Sequence, residues 1–174
     1  GMNPAEHLFF MPTAVGPCRF GQYATLHRMI LDRIGMKDTP VLSPSSYNTY
    51  LGLDGDLRRR LWHAIVIGDT LIKAGCRLRP YEREKGAVDA VIAGALARFE
   101  AAFESRTDPM PAFRETIAAL QAIPVHHVIK PLVGIVGEIY IRSNTFANQD
   151  VIGAVEAFGG EAWLAPMSEW IHYT

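Results

Sequence analysis

Apolar and polar positions along the chain fall into short apolar runs near both ends and three-and-four spacing between them. His7 to Met11 is a compact apolar run closed by Pro12, too short for a helix and suited to a buried strand of a parallel sheet. After the Gly16-Pro17 turn, Phe20, Tyr23, Leu26, Met29, Ile30 and Ile34 recur at helical spacing, and Gly35 stands where such a helix would end. Pro40 to Leu42 then reads as a second strand, followed by the polar loop Ser43 to Ser46. The unit is β-loop-α-β, whose parallel strands put both following loops at one edge of the sheet.

The middle of the chain changes to helical periodicity. Leu57, Leu61, Ile65, Leu71 and Ile72 predict a helix from Asp56 to about Cys76, with Asp54 as a cap and Arg79-Pro80-Tyr81 as the break. Val88, Val91, Ile92, Ala95, Leu96, Phe99 and Phe103 form one stripe of a helix from Ala87 to Glu104, and Ala112 to Ala122 is a shorter one. From Leu132 the pattern reverts: an apolar run to Gly137, an amphipathic helix from Asn148 to Phe158 ended by Gly159-Gly160, and a short run from Ala162 to Ala165. The expected fold class is α/β: two small βαβ lobes with parallel strands, joined by a helical segment. The first lobe with its helical extension covers 3–130, and the second, incomplete lobe covers 131–174.

Composition narrows the function classes. Across 174 residues, 49% are hydrophobic and 20% charged, enough apolar material for a core. The 17 basic and 18 acidic residues are dispersed, so no basic footprint for nucleic acid is present. No apolar stretch approaches the ~18 residues of a membrane-spanning helix, and there is no signal-peptide pattern, which predicts a cytoplasmic protein. Two cysteines, Cys18 and Cys76, support neither a disulfide framework nor zinc spacing.

In open α/β sheets ligands sit beyond the carboxyl ends of the strands, which singles out the loops 12–22 and 137–148. The first places Cys18 and Arg19 at a helix beginning, where backbone N–H groups favour a thiolate or an anion. A small thiol packed under the helix is the alternative there, and a core thiol is the reading for Cys76. The second loop carries Glu138, Tyr140, Arg142 and Asn144, able to hold a polar ligand or one another. Arg79, Tyr81 and Glu82 read as a polar connection between helices. His126 and His127 are set aside as a ligand pair because neighbours on a strand face opposite ways. No GxGxxG or P-loop occurs.

The ordered motifs PTAVGPCRFGQY, LSPSSYNTYLGL, RPYE, KPLVGIVGEIYIRSNTFAN and GGEAWLAPMSEW resemble the 2-hydroxyacyl-CoA dehydratase D-component-like proteins, a region also found within the large CoA-substrate-specific enzyme activases. The resemblance spans nearly the whole chain. It implies Rossmann-like lobes, a [4Fe–4S] cluster held by cysteines from loops at the lobe junction, and partnership with an ATP-dependent activator or a dehydratase subunit. It matches Cys18 to the family's cysteine in the PCR-type loop, as a metal ligand. Arg19, Gln22, Glu138, Arg142 and Asn144 would then line the cofactor-binding cleft, where the cluster would pass one electron to an acyl-CoA thioester. The family's upstream segment with a further cysteine does not precede His7, so the resemblance implies a module of such a system: a fragment, a diverged short form, or one side of a cluster bridged between chains. The alternative is a non-catalytic binding or assembly module that kept the fold and lost the cluster. A third reading places a small anion at the helix beginning near Arg19, held by backbone N–H groups without metal.

Sheets this small leave apolar edges open, which predicts a homo-oligomer. Size-exclusion chromatography with light scattering should report a dimer or larger species; a monomer at all concentrations contradicts the expectation.

Overall fold

The computed structural model describes residues 3–14, 16–45, 47–48 and 50–173; Ser46 of the expected polar loop lies outside the described residues. Among the described residues, the chain is a mixed helix and sheet protein with two separate parallel sheets of two strands each. It divides into two compact units, 1–58 and 59–173.

In the first unit β1 (Phe9–Phe10) pairs in parallel with β2 (Val41–Leu42), Phe9 opposite Val41 and Phe10 opposite Leu42. Backbone bonds extend the pairing on both sides, from Phe9 N to Pro40 O at 2.9 Å and from Thr13 N to Pro44 O at 3.0 Å. Between them runs α1 (Tyr23–Arg33), preceded by a 3-10 turn over Arg19–Gln22 that takes up the beginning of the expected helix. Gly35, at a φ of 84°, ends it: the next amide, Met36 N, reaches back to Leu31 O at 2.8 Å. Arg28 then fixes the exit turn by donating to the Met36 and Thr39 carbonyls.

The apolar stripe of α1 is not what this unit buries. Leu31 is buried and His27 meets the Phe9 ring edge-on at 4.9 Å, whereas Leu26, Met29, Ile30 and Ile34 are exposed. Two strands give a sheet too narrow to cover a helix stripe that wide.

The second unit is built on α2 (Gly55–Leu78), whose start lies across the boundary, and on α3 (Ala87–Glu104) and α4 (Met110–Gln121). Ile67 and Leu71 of α2, Val88, Ala95 and Phe99 of α3, and Leu120 of α4 make its main core. Helices α2 and α3 approach closely at Gly75, where a Cβ would stand 3.2 Å from Ile92 Cδ1. β3 (Leu132–Ile135) pairs in parallel with β4 (Glu161–Leu164), in register from Leu132 opposite Glu161 to Ile135 opposite Leu164. Cys76 joins Ile135 and Ala162 in a second core cluster, with Val155 of α6 (Val151–Ala157) against it. That packing places α2 in the same unit as this sheet. Two elements absent from the hydrophobic pattern complete the unit, α5 (Ile139–Ser143) and α7 (Met167–Tyr173). The first turn of α7 is capped from a distance: Asp69 on α2 accepts from Met167 N at 2.9 Å and Ser168 N at 2.7 Å.

Where α2 ends, the RPYE stretch binds three elements at once. Arg79 forks onto Glu156 of α6, with Nε at 3.0 Å from Oε2 and Nη2 at 3.0 Å from Oε1, while Nη1 reaches Asp89 of α3 at 3.0 Å. Tyr81 donates its hydroxyl to Glu161 of β4 at 2.6 Å. Glu82, buried, accepts from Gly86 N at 2.8 Å and Val88 N at 2.9 Å and so caps α3. Burial opposes the Arg79 charge, but the hydrogen bonds it donates to Glu156 and Asp89 outweigh that and hold the guanidinium above its ordinary value. The polar helix-to-helix connection expected of these residues is what the structure contains.

Removing one member of a mostly buried ion pair leaves the other uncompensated. Arg79→Ala should therefore lower unfolding stability by about 2–3 kcal/mol, and Arg79→Lys by less, read from urea midpoints at unchanged slope. An Arg79→Ala midpoint equal to wild type contradicts the role given to this residue.

Candidate functional site

The loop that leaves β1 folds back on itself before it enters the helix. Thr13 donates its hydroxyl to Gly21 O at 3.3 Å, and Gly21 N donates to Cys18 O at 3.2 Å, closing a turn over 18–21. Only glycine fits at 21, because a Cβ there would stand 2.5 Å from the Ala14 carbonyl oxygen. Cys18 is the residue before the 3-10 turn, with extended φ and ψ of -72° and 128°, and its side chain caps nothing. Cys18, Arg19 and Gln22 are all exposed on this one turn. The alternative of a thiol packed beneath the helix does not hold for Cys18, because the glycine-locked turn lifts it to the surface.

The loop after β3 spends its polar groups differently. Glu138 caps α5, accepting from Ile141 N at 2.8 Å. Arg142 donates from Nη1 to Gly137 O at 3.1 Å and from Nη2 to Pro166 O at 3.4 Å, which ties the loops after β3 and β4 together. Its Nε is buried without a partner among the described contacts. Asn144 donates to the Tyr140 hydroxyl at 2.9 Å and accepts from Ala147 N at 2.9 Å. Asn148 closes the loop by donating to the Ile141 and Arg142 carbonyls at 3.0 and 2.9 Å. Glu138, Arg142 and Asn144 are thus brought together in the second unit, and each supports the loop backbone. Cys18, Arg19 and Gln22 are brought together in the first. Ile141 and Phe146 also stand exposed there, apolar side chains that the reading of this loop as a polar site did not signal.

The two cysteines have opposite environments. Cys76 is 2% exposed against Ile135 and Ala162, and burial pushes its thiol up while Arg79 opposes the shift. A neutral thiol in a packed core is a poor metal ligand. A four-iron cluster takes three or four thiolates, and this chain offers one that is accessible, so its own residues do not make a complete cluster site. Among the described residues, no group of three or more His, Cys, Asp or Glu side chains is placed to hold a metal ion.

His126 and His127, which strand alternation would turn to opposite faces, lie on an irregular segment instead: Val128 N donates to His126 O at 3.1 Å, and both residues line one groove of the second unit. No helix among the described residues is long and apolar enough to cross a membrane. Comparison of the chain with protein-family models, with curated proteins and with solved structures finds no match.

The contrast between the cysteines has a direct readout. A thiol-specific disulfide reagent should consume one thiol per chain rapidly under native conditions and the second only after denaturation. Cys18→Ser should abolish the rapid phase and Cys76→Ser should leave it. Two thiols reacting at similar rates in the native protein would overturn the assignment.

Proposed function

We propose that the chain is a module of an iron–sulfur, CoA-linked 2-hydroxyacyl dehydratase or activator system, with Rossmann-like lobes. In this reading Cys18 supplies one thiolate to a [4Fe–4S] site that other thiolates complete. The observation that carries it is the exposure of Cys18 on a glycine-locked turn beyond the carboxyl end of β1, where ligands of open α/β sheets are held. The order of the five motifs along the chain supports the same reading. Arg19 and Gln22 stand beside the thiol, and the Glu138, Arg142 and Asn144 loop occupies the equivalent edge of the second sheet. The partners of such a module are an ATP-dependent activator or a dehydratase subunit, with acyl-CoA as the substrate class.

A second reading, a binding or assembly module without a cluster, is favoured by one observation. Leu26, Met29, Ile30 and Ile34 leave a helix face uncovered, with Ile34 62% exposed.

Anaerobic purification followed by iron and sulfide analysis separates the two. With an exogenous dithiol present to supply the missing thiolates, the module reading expects iron and sulfide to accompany the chain after reconstitution, to be lost in Cys18→Ala and to be kept in Cys76→Ala. Iron below about one atom for every two chains, or iron indifferent to Cys18→Ala, would overturn it and leave the assembly reading.

A further inference from the structure

The second unit holds a groove of about 260 Å³ at the amino ends of β3 and β4, lined by Arg77, Tyr81, His126, His127 and Glu161 among others. Its one acidic group is already satisfied. Glu161, the first residue of β4, is 6% exposed, accepting from Arg77 Nη1 at 3.1 Å and from the Tyr81 hydroxyl at 2.6 Å. Both carboxylate oxygens are therefore engaged from the protein side. A carboxylate so paired holds its proton donors in place and offers a ligand little free negative charge.

What the groove presents outward is donors. The Arg77 side chain is 67% exposed, and among the described contacts only its Nη1 is engaged. His126 and His127 are both exposed, and each imidazole carries at least one N–H. The histidine segment is anchored, since His126 N donates to Tyr81 O at 2.8 Å and Val125 bridges to Glu82. Leu78 and Val128 supply apolar surface beside these donors. A ligand matching this lining needs acceptor oxygens with negative charge and a short apolar tail. It must also be small, because the volume falls below the ~300 Å³ at which drug-sized sites begin.

We propose that this groove binds a short-chain aliphatic carboxylate, its oxygens received by Arg77 and the histidine N–H groups and its tail against Leu78 and Val128. The site lies at the opposite edge of the sheet from the Glu138 loop and does not rest on the cluster reading.

Titration of the whole chain with sodium butyrate, followed by the histidine ring and Val128 methyl resonances, tests it. The expected result is saturable shifts at His126, His127 and Val128, with a dissociation constant on the order of millimolar, as befits so few ligand atoms. Arg77→Gln should weaken binding about tenfold by removing a charged donor. The His126→Ala, His127→Ala double variant removes only exposed side chains, so it keeps the fold and should weaken binding to a similar degree, read at Val128. Cys18→Ser should bind as wild type does. Shifts reproduced by sodium chloride at equal ionic strength overturn the proposal, as does butyrate affinity unchanged in both variants. Inorganic phosphate binding as tightly as butyrate overturns it too, since the apolar walls would then contribute nothing.

Discussion

The fork of Arg79 onto Glu156 is the interaction on which the second unit depends. It stands where the longest helix stops, and one planar guanidinium joins the end of α2 to α6 while its remaining arm takes Asp89 of α3. Lysine could carry the charge there but could not meet two carboxylates in fixed geometry. The next residues continue the work in sequence order. Pro80 ends the helix, Tyr81 reaches β4 through Glu161, and Glu82 turns inward to cap α3. Four consecutive residues thus set the placement of three helices and a strand. Glu156 and Glu161 are buried or nearly so, whereas Asp89 stays exposed, and a buried carboxylate is tolerated only when its oxygens are satisfied.

The same economy explains the loops at the carboxyl edges of the sheets. In the first unit a missing side chain does the shaping: Gly21 lets the turn press against Ala14, and Cys18 is carried outward as a result. In the second a long side chain does it, with Arg142 spanning from Gly137 to Pro166. The residues that looked most like ligand-binding groups there are engaged first in holding the loop. Pre-organisation of that kind is what a site on a loop needs, because an unsupported loop positions nothing reproducibly.

The two units differ in how far they satisfy their own apolar surface. The second closes a core among α2, α3 and α4 and a smaller one around Cys76. Among its described residues the first has two strands of two residues packed with α1, and it leaves Leu8, Phe10, Met29 and Ile34 exposed. Surface of that composition costs free energy while water covers it, so it is where a further element or chain would bind with gain.

The sequence by itself determined the helices α2, α3 and α4, the two pairs of parallel strands and the core position of Cys76, because periodicity and apolar runs are local consequences of which side chains avoid water. It also marked the RPYE stretch as a polar connection, since Pro80 and three hydrogen-bonding side chains cannot continue an apolar helix. Tertiary structure alone decided the rest. The first turn of α7 is capped by Asp69, 98 residues earlier, and no local pattern encodes that partner. Which stripe of α1 is buried depends on the width of a sheet that the helix does not itself contain. His126 and His127 share a groove because a backbone turn interrupts the alternation that would separate them. Cys18 and Cys76 are the same residue type in one chain. A glycine-sized gap exposes the first, and the meeting of a helix with a sheet buries the second, so their chemistry was settled by packing.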